Sequence, residues 1–191
     1  MEDINQTLAK LTNESLAKHG AHIHGFSAGA PAMAKWLEVP GSSKVIGSWT
    51  NFNDRELLDG VLGGLPVKYV NEEVAVAYAN SCMDALTSYP YGINPSSAVF
   101  VGVTASLTSD YDKRSNDEAY IALKRGGYDG LGIHAKFFKG QAGDMAHRTS
   151  ENSFLTHLIL WGVGQFDMWG DVKGMGINEL EGFEELYTWT F

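Results

Sequence analysis

Apolar positions in this chain switch repeatedly between a helical and an extended period, and that switching is what most limits the fold. Ile4, Leu8, Leu11 and Leu16 recur at helical spacing, and Gly20 follows Lys18-His19 as a C-terminal cap. A strand is expected over 21–26. Small residues at 27–30 then open a second helix with its body at 32–37, and Pro31 suits the first turn, where its missing N–H costs nothing. Residues 44–52 are β-branched and aromatic, hence a strand. Residues 54–58 make a short helix before the breakers Gly60, Gly63, Gly64 and Pro66. Asn71 is a good N-cap, with Glu72 and Glu73 in the first turn where the helix dipole favours them. Val74, Tyr78, Cys82, Ala85 and Leu86 mark the apolar face of the helix that follows, to about Thr87.

Strands are expected over 97–104, 119–123 and 132–138, the last two joined by Gly126-Gly127-Tyr128-Asp129-Gly130. A long helix runs from about Asp144 to Gly162, and the tail from Gly164 shows no clear period. Helices alternating with strands in one chain of 191 residues predict a single-domain α/β fold, a mixed sheet flanked by helices.

Charge narrows the function. The net charge is −9, which disfavours nucleic acid and anionic membrane surfaces as partners. No apolar run reaches the eighteen or so residues of a membrane span. The first residues, M-E-D-I-N-Q, carry no secretory pattern, and Cys82 is the single cysteine. A reducing, cytoplasmic setting is expected. A small-molecule substrate or ligand and a second copy of the chain are the expected partners.

The stretch from Gly25 to Ser43, G-F-S-A-G-A-P-A-M-A-K-W-L-E-V-P-G-S-S, ends in a tight turn presenting two hydroxyls. It resembles the start of the CinA C-terminal domain family, whose pattern runs A-E-S-C-T-G-G, then P-G-S-S, then T-Y-S-N-x-x-K. Further similarity lies in Val70 to Ala75, Val101 to Thr104, Tyr120 to Leu123 and Phe138-Lys139-Gly140, all in the family's order. The resemblance covers about 8–162 and leaves 163–191 as a C-terminal extension. It implies a serine amidohydrolase ancestry, with nicotinamide mononucleotide as the family's substrate. It also implies Ser43 as nucleophile and Ser42 beside it.

The family's lysine base, however, falls at Arg55 or Glu56. Arginine cannot serve as a base, with a pKa above about 12, whereas Glu56 can. The family's arginine in F-x-G-D-R falls at Gln141-Ala142, and Arg148, one or two turns on, is the candidate replacement. His24 adjoins the altered A-E-S-C segment and is the second candidate proton carrier. Ser27 and Thr104 stand at family site positions. Phe26 and Phe52 replace polar ones, which makes the expected pocket more apolar and suits a less charged substrate of a divergent enzyme; a retained nicotinamide mononucleotide amidohydrolase and a non-catalytic binding or scaffold protein are the alternative readings.

The catalytic candidates are therefore Ser43, His24 and Glu56, and the substrate-binding candidates Ser27, Ser42, Phe26, Phe52, Thr104 and Arg148. Ser43, Thr104 and the start of the Asp144 helix are expected to converge on one cleft. His22 and His24 share a strand face that His134 can join. No acidic or cysteine partner at a known spacing supports a metal there, so no metal or cofactor is expected. Asp110, Asp112, Lys113, Arg114 and Asp117 read as a solvated loop. His147 and Arg148 place positive charge where the helix dipole disfavours it, which fits an anion contact and an idle surface position equally.

Overall fold

The computed structural model describes residues 4–28, 34–52, 54–88, 92–165 and 183–191. Helix α1 (Ile4–Lys18) closes at Gly20, which takes a positive φ of 60°. Strand β1 (His22–Ala28) follows, so Ser27 and Ala28 extend the strand rather than opening a helix. Residues 29–33, and with them the expected role of Pro31, lie outside the described residues, and α2 is described over Ala34–Leu37. Ser42–Lys44 form one 3₁₀ turn, and β2 (Ile46–Phe52) starts two residues later than expected.

Helix α3 (Arg55–Leu62) is capped by the Asp54 carboxylate, which accepts from the Glu56 and Leu57 N–H groups. It runs past Leu58, and Gly63 ends it. Helix α4 (Glu72–Thr87) has the boundaries its sequence predicts, with the Asn71 side chain accepting from the Val74 N–H. Then come β3 (Ala98–Ser106), β4 (Glu118–Lys124), β5 (Leu131–Phe137) and α5 (Met145–Gln165). The tail contributes a strand that periodicity did not reveal, β6 (Phe183–Thr190).

These strands form one six-stranded sheet in the order β2-β1-β3-β4-β5-β6. Strands β2, β1 and β3 run parallel, and β4, β5 and β6 each run antiparallel to the strand before them. One face packs Ile23, Val101, Ile121 and Ile133 against Leu8 and Leu16 of α1 and Leu155, Leu158 and Ile159 of α5. Each such fully buried side chain is worth about 1.5–3 kcal/mol against exposure.

The other face carries α4, laid directly on β3. A Cβ at Gly102 would fall inside the backbone of Ala75 and Ala79, so glycine is what lets helix and strand touch. The result is a single α/β domain with a mixed sheet, as the alternating periods predict. No helix among the described residues is long and apolar enough to cross a membrane.

Candidate active site

Parallel strands give the sheet two unlike ends. At the carboxyl end of β1, Ala28 pairs with Phe52 on one side and Thr104 on the other, while Ser27 pairs with Asn51 and Val103. Ser27, Phe52 and Thr104 therefore share one edge. Ser43 lies at the opposite edge. Its turn leads into Val45, whose carbonyl accepts from the Ile23 N–H at 2.7 Å. From Ile23 to Ala28 the strand climbs about 16 Å at roughly 3.3 Å per residue. The expected convergence of Ser43 with Thr104 is thus not met, because a turn entering a parallel strand sits at its amino end. Ser43 is exposed, whereas Ser42 is buried with its hydroxyl donating to the Leu37 carbonyl at 3.5 Å.

Of the remaining sequence candidates, His24, Ser27, Phe26, Phe52 and Thr104 are held by structural partners. His24 is buried, with Nδ1 2.8 Å from the Ser48 hydroxyl and its ring stacked on Phe100 at 5.9 Å. Burial, then the neighbouring His22, push its pKa from 6.5 down to about 4, so it is neutral at neutral pH. His134 stands on β5, three strands away from β1, and does not join the His22–His24 pair. The fully buried Ser27 hydroxyl donates to Asn51 Oδ1 at 3.1 Å and accepts from Trp49 Nε1 at 3.0 Å.

Phe26 and Phe52 meet edge-to-face at 5.2 Å and pack with Leu58, Val74 and Tyr78, so they belong to a core cluster between the sheet and α3–α4. Thr104 Oγ1 donates to the Tyr69 carbonyl at 2.6 Å and ties down the chain entering α4. Glu56 is exposed in the first turn of α3.

Past the end of β3 the structure gathers a polar constellation that the resemblance did not identify. The Thr108 N–H donates to Glu151 Oε2 at 2.8 Å, and Arg148 Nη1 donates to the Thr108 carbonyl at 2.6 Å. Asp117 accepts from the Gly140 N–H at 2.9 Å and from the Thr108 hydroxyl at 3.3 Å, and pairs with Lys113. Lys113 Nζ also donates to Ser106 Oγ and the Leu107 carbonyl. Asp117 is 1% exposed. The mixed-charge loop is therefore not simply solvated: Asp110, Asp112 and Arg114 face water, but Lys113 and Asp117 bolt the loop to the sheet end.

His147 and Glu151 stand four residues apart on α5, one above the other. His147 Nε2 lies 2.9 Å from the Phe138 carbonyl and 3.6 Å from Glu151 Oε1. A carbonyl oxygen only accepts, so Nε2 carries the proton and Nδ1 is left to take one. Glu151 is buried, and Oε1 has no hydrogen-bond partner. Burial raises its pKa above the ordinary carboxylate value, with Asp117 adding to the rise and the Thr108 N–H opposing it.

A cavity of about 280 Å³ opens at the residues flanking this pair, lined by Thr108, Ser109, Asp110, Asp144, Met145 and Arg148. Asp117, His147 and Glu151 each place one ligand atom within 4.8 Å of the others, the spacing of a metal set. Lys113 already meets the Asp117 charge, however, and Gly140 and Thr108 take its second oxygen, so the protein's own cation closes the cluster. Arg148 is the one substrate-binding candidate in this group, and His147 was read from sequence only as its basic neighbour. The i, i+4 spacing of His147 and Glu151 was the available signal for the rest.

No protein-family model and no curated protein matches the chain. Solved structures do match. The competence/damage inducible protein CihA from Agrobacterium tumefaciens superposes with a TM-score of 0.58 at 16% identity, over 85% of this chain and 93% of that one. The competence damage-inducible protein A (ComA) from Klebsiella pneumoniae subsp. pneumoniae gives 0.60 at 11%, over 87% and 99%. A competence-damaged protein (CinA) superfamily protein from Escherichia coli gives 0.55 at 12%, over 84% and 94%. Nearly whole-chain superposition at so low an identity is a likeness of fold, and the chain carries the fold of the CinA superfamily.

Proposed function

We propose that this chain is a divergent CinA-fold enzyme that hydrolyses a small, weakly charged amide or ester, with the reaction moved to the cleft between the Thr108 loop and the start of α5. His147 is the general base: Nδ1 takes a proton from water as the water oxygen attacks the acyl carbon, and returns it to the leaving amine or alcohol. Glu151 behind it stabilises the imidazolium, as a buried carboxylate does for a catalytic histidine. Arg148, on the cavity wall, meets the negative charge that develops on the acyl oxygen.

The observation that carries this reading is His147 Nε2 held between the Phe138 carbonyl and the unpartnered Glu151 oxygen, one residue from Arg148. The cavity wall holds two carboxylates, Asp110 and Asp144, against one guanidinium, a balance that suits a neutral or zwitterionic molecule over a phosphate ester. The ancestral amidohydrolase site supports the same departure, since its lysine and arginine positions are Arg55 or Glu56 and Gln141-Ala142.

A panel of small carboxamides and esters, with nicotinamide mononucleotide as the charged comparison, tests it through acid or ammonia release. Turnover of a neutral or zwitterionic member, with little or none of the nucleotide, is expected. Turnover of the nucleotide near one per second, an ordinary enzymatic rate, would overturn the proposal.

A further inference from the structure

On the sheet face shared with α4, β4, β5 and β6 line up a row of rings. Tyr120 stands opposite His134, and His134 opposite Tyr187, in direct register across the three strands. Ring centroids are 4.4 Å apart in the first pair and 4.7 Å in the second. Trp189 closes the row, 6.2 Å from Tyr187 and 6.3 Å from Tyr120, its indole lying on the bare backbone of Gly132, where a Cβ would collide with it. Above the two tyrosines is an open cavity of about 410 Å³, bounded by Asn71, Glu72 and Glu73 at the start of α4. The cavity thus has phenol rings on one side and carboxylates on the other.

Its charge is unbalanced. Glu118 sits among the rings, bonded to Lys68 Nζ at 2.8 Å, to His134 Nε2 at 3.3 Å and to the Tyr120 hydroxyl at 3.5 Å. Burial raises its pKa, but Lys68 and His134 outweigh that and hold it below the ordinary value, so it stays ionised. Lys68 and Glu118 cancel. Neither Glu72 nor Glu73 has an ion-pair partner among the described residues.

The negative field reaches the rings. Tyr120 is pushed up to about 12 and Tyr187 is also raised, by burial first and then by surrounding groups that include Glu72 and Glu118. The helix dipole accounts for acids at positions 72 and 73. It does not account for two phenols facing them across a cavity, nor for the buried His134 between those phenols, whose Nδ1 has no partner.

We infer that this cavity is a second binding site, one that takes a small organic ammonium ion. The cation lies over the Tyr120 and Tyr187 rings, attracted by their π faces, and the Glu72 and Glu73 carboxylates supply the counter-charge. The site is separate from the proposed reaction centre, so it stands whether or not the chain hydrolyses amides.

Titration calorimetry of the full chain with tetramethylammonium chloride, n-butylammonium chloride and, as an ionic-strength control, sodium chloride tests the inference. Saturable binding of an organic ammonium and none of sodium is expected. A response to n-butylammonium alone would assign the site to primary amines, and a response to both would assign it to ammonium groups at large.

Tyr187 is 42% exposed, so Tyr187→Leu leaves the core intact. That change should weaken binding about fivefold or more, while Tyr187→Phe, which keeps the ring, should bind as the parent does. Glu72→Gln combined with Glu73→Gln should weaken it as well, giving a second readout if Tyr187→Leu fails to fold. Absence of saturable binding by the parent, or binding unmoved by both the ring and the carboxylate changes, would overturn the assignment.

Discussion

His147 Nε2 lies 3.6 Å from Glu151 Oε1, one helical turn away on the same face of α5, and the glutamate is almost completely buried. An ionised carboxylate in that position is costly unless a proton or a cation is near. Burial holds the glutamate's pKa above the ordinary value, and its neighbours Thr108 and Arg148 line a cavity.

The raised pKa of Glu151 sets a pH signature. A carboxyl group that binds its proton more tightly when folded adds stability that is complete below its ordinary pKa of 4.5 and lost as pH rises through the folded value. Glu151→Gln removes that dependence and still accepts from the Thr108 N–H. The variant should therefore gain on the parent as pH rises from 4.5 toward neutrality, in urea midpoints measured at several pH values.

His24 has the opposite sign of shift. Its folded pKa of about 4 lies below the ordinary 6.5, so its contribution is present above 6.5 and lost as pH falls from there to about 4. His24→Gln should flatten the stability profile between those two values. Denaturation curves across that range read the effect, and an unchanged slope would mean that the imidazole takes up its proton alike in the folded and unfolded chain.

Ser27 holds Trp49 and Asn51 across the β1–β2 pair. Ser27→Ala leaves the half-buried Trp49 N–H without this acceptor, which should cost about 1 kcal/mol. The expected result is a lower denaturation midpoint. A midpoint equal to that of the parent would show that the hydroxyl has a role other than holding the strands.

Gly102 is where α4 touches β3. Gly102→Ala has to push helix and strand apart, and overpacking of this kind costs about 1–3 kcal/mol, occasionally more. Urea denaturation should register that loss without a change of fold by circular dichroism.

The sequence disclosed the layers of this fold where a local signal coincided with a buried face. Asn71, Glu72 and Glu73 fix the start of α4, and Val74, Tyr78 and Cys82 its buried side. Strand β6 escaped because it is an edge strand. Its residues Phe183, Leu186 and Trp189 are only half buried and three apart, so no period of two appears.

The site was harder to read for a topological reason. P-G-S-S carried the resemblance, but a turn before a parallel strand lies at the edge opposite the one where ligands gather. That direction can be read from the strand order alone. Asp117 looked solvated because its neighbours are charged. Its burial comes from Lys113, Thr108 and Gly140, brought together by β3, β4 and the start of α5.

The role of His147 is decided by comparing kcat/KM of His147→Asn and Ser43→Ala on the best substrate from the amide and ester panel. A loss of about 10²-fold or more is expected for His147→Asn, the size of a lost general base. Ser43→Ala should keep a rate within experimental error of the parent, since Ser43 is at the far end of the sheet. A collapse of activity in Ser43→Ala, with His147→Asn fully active, would contradict it.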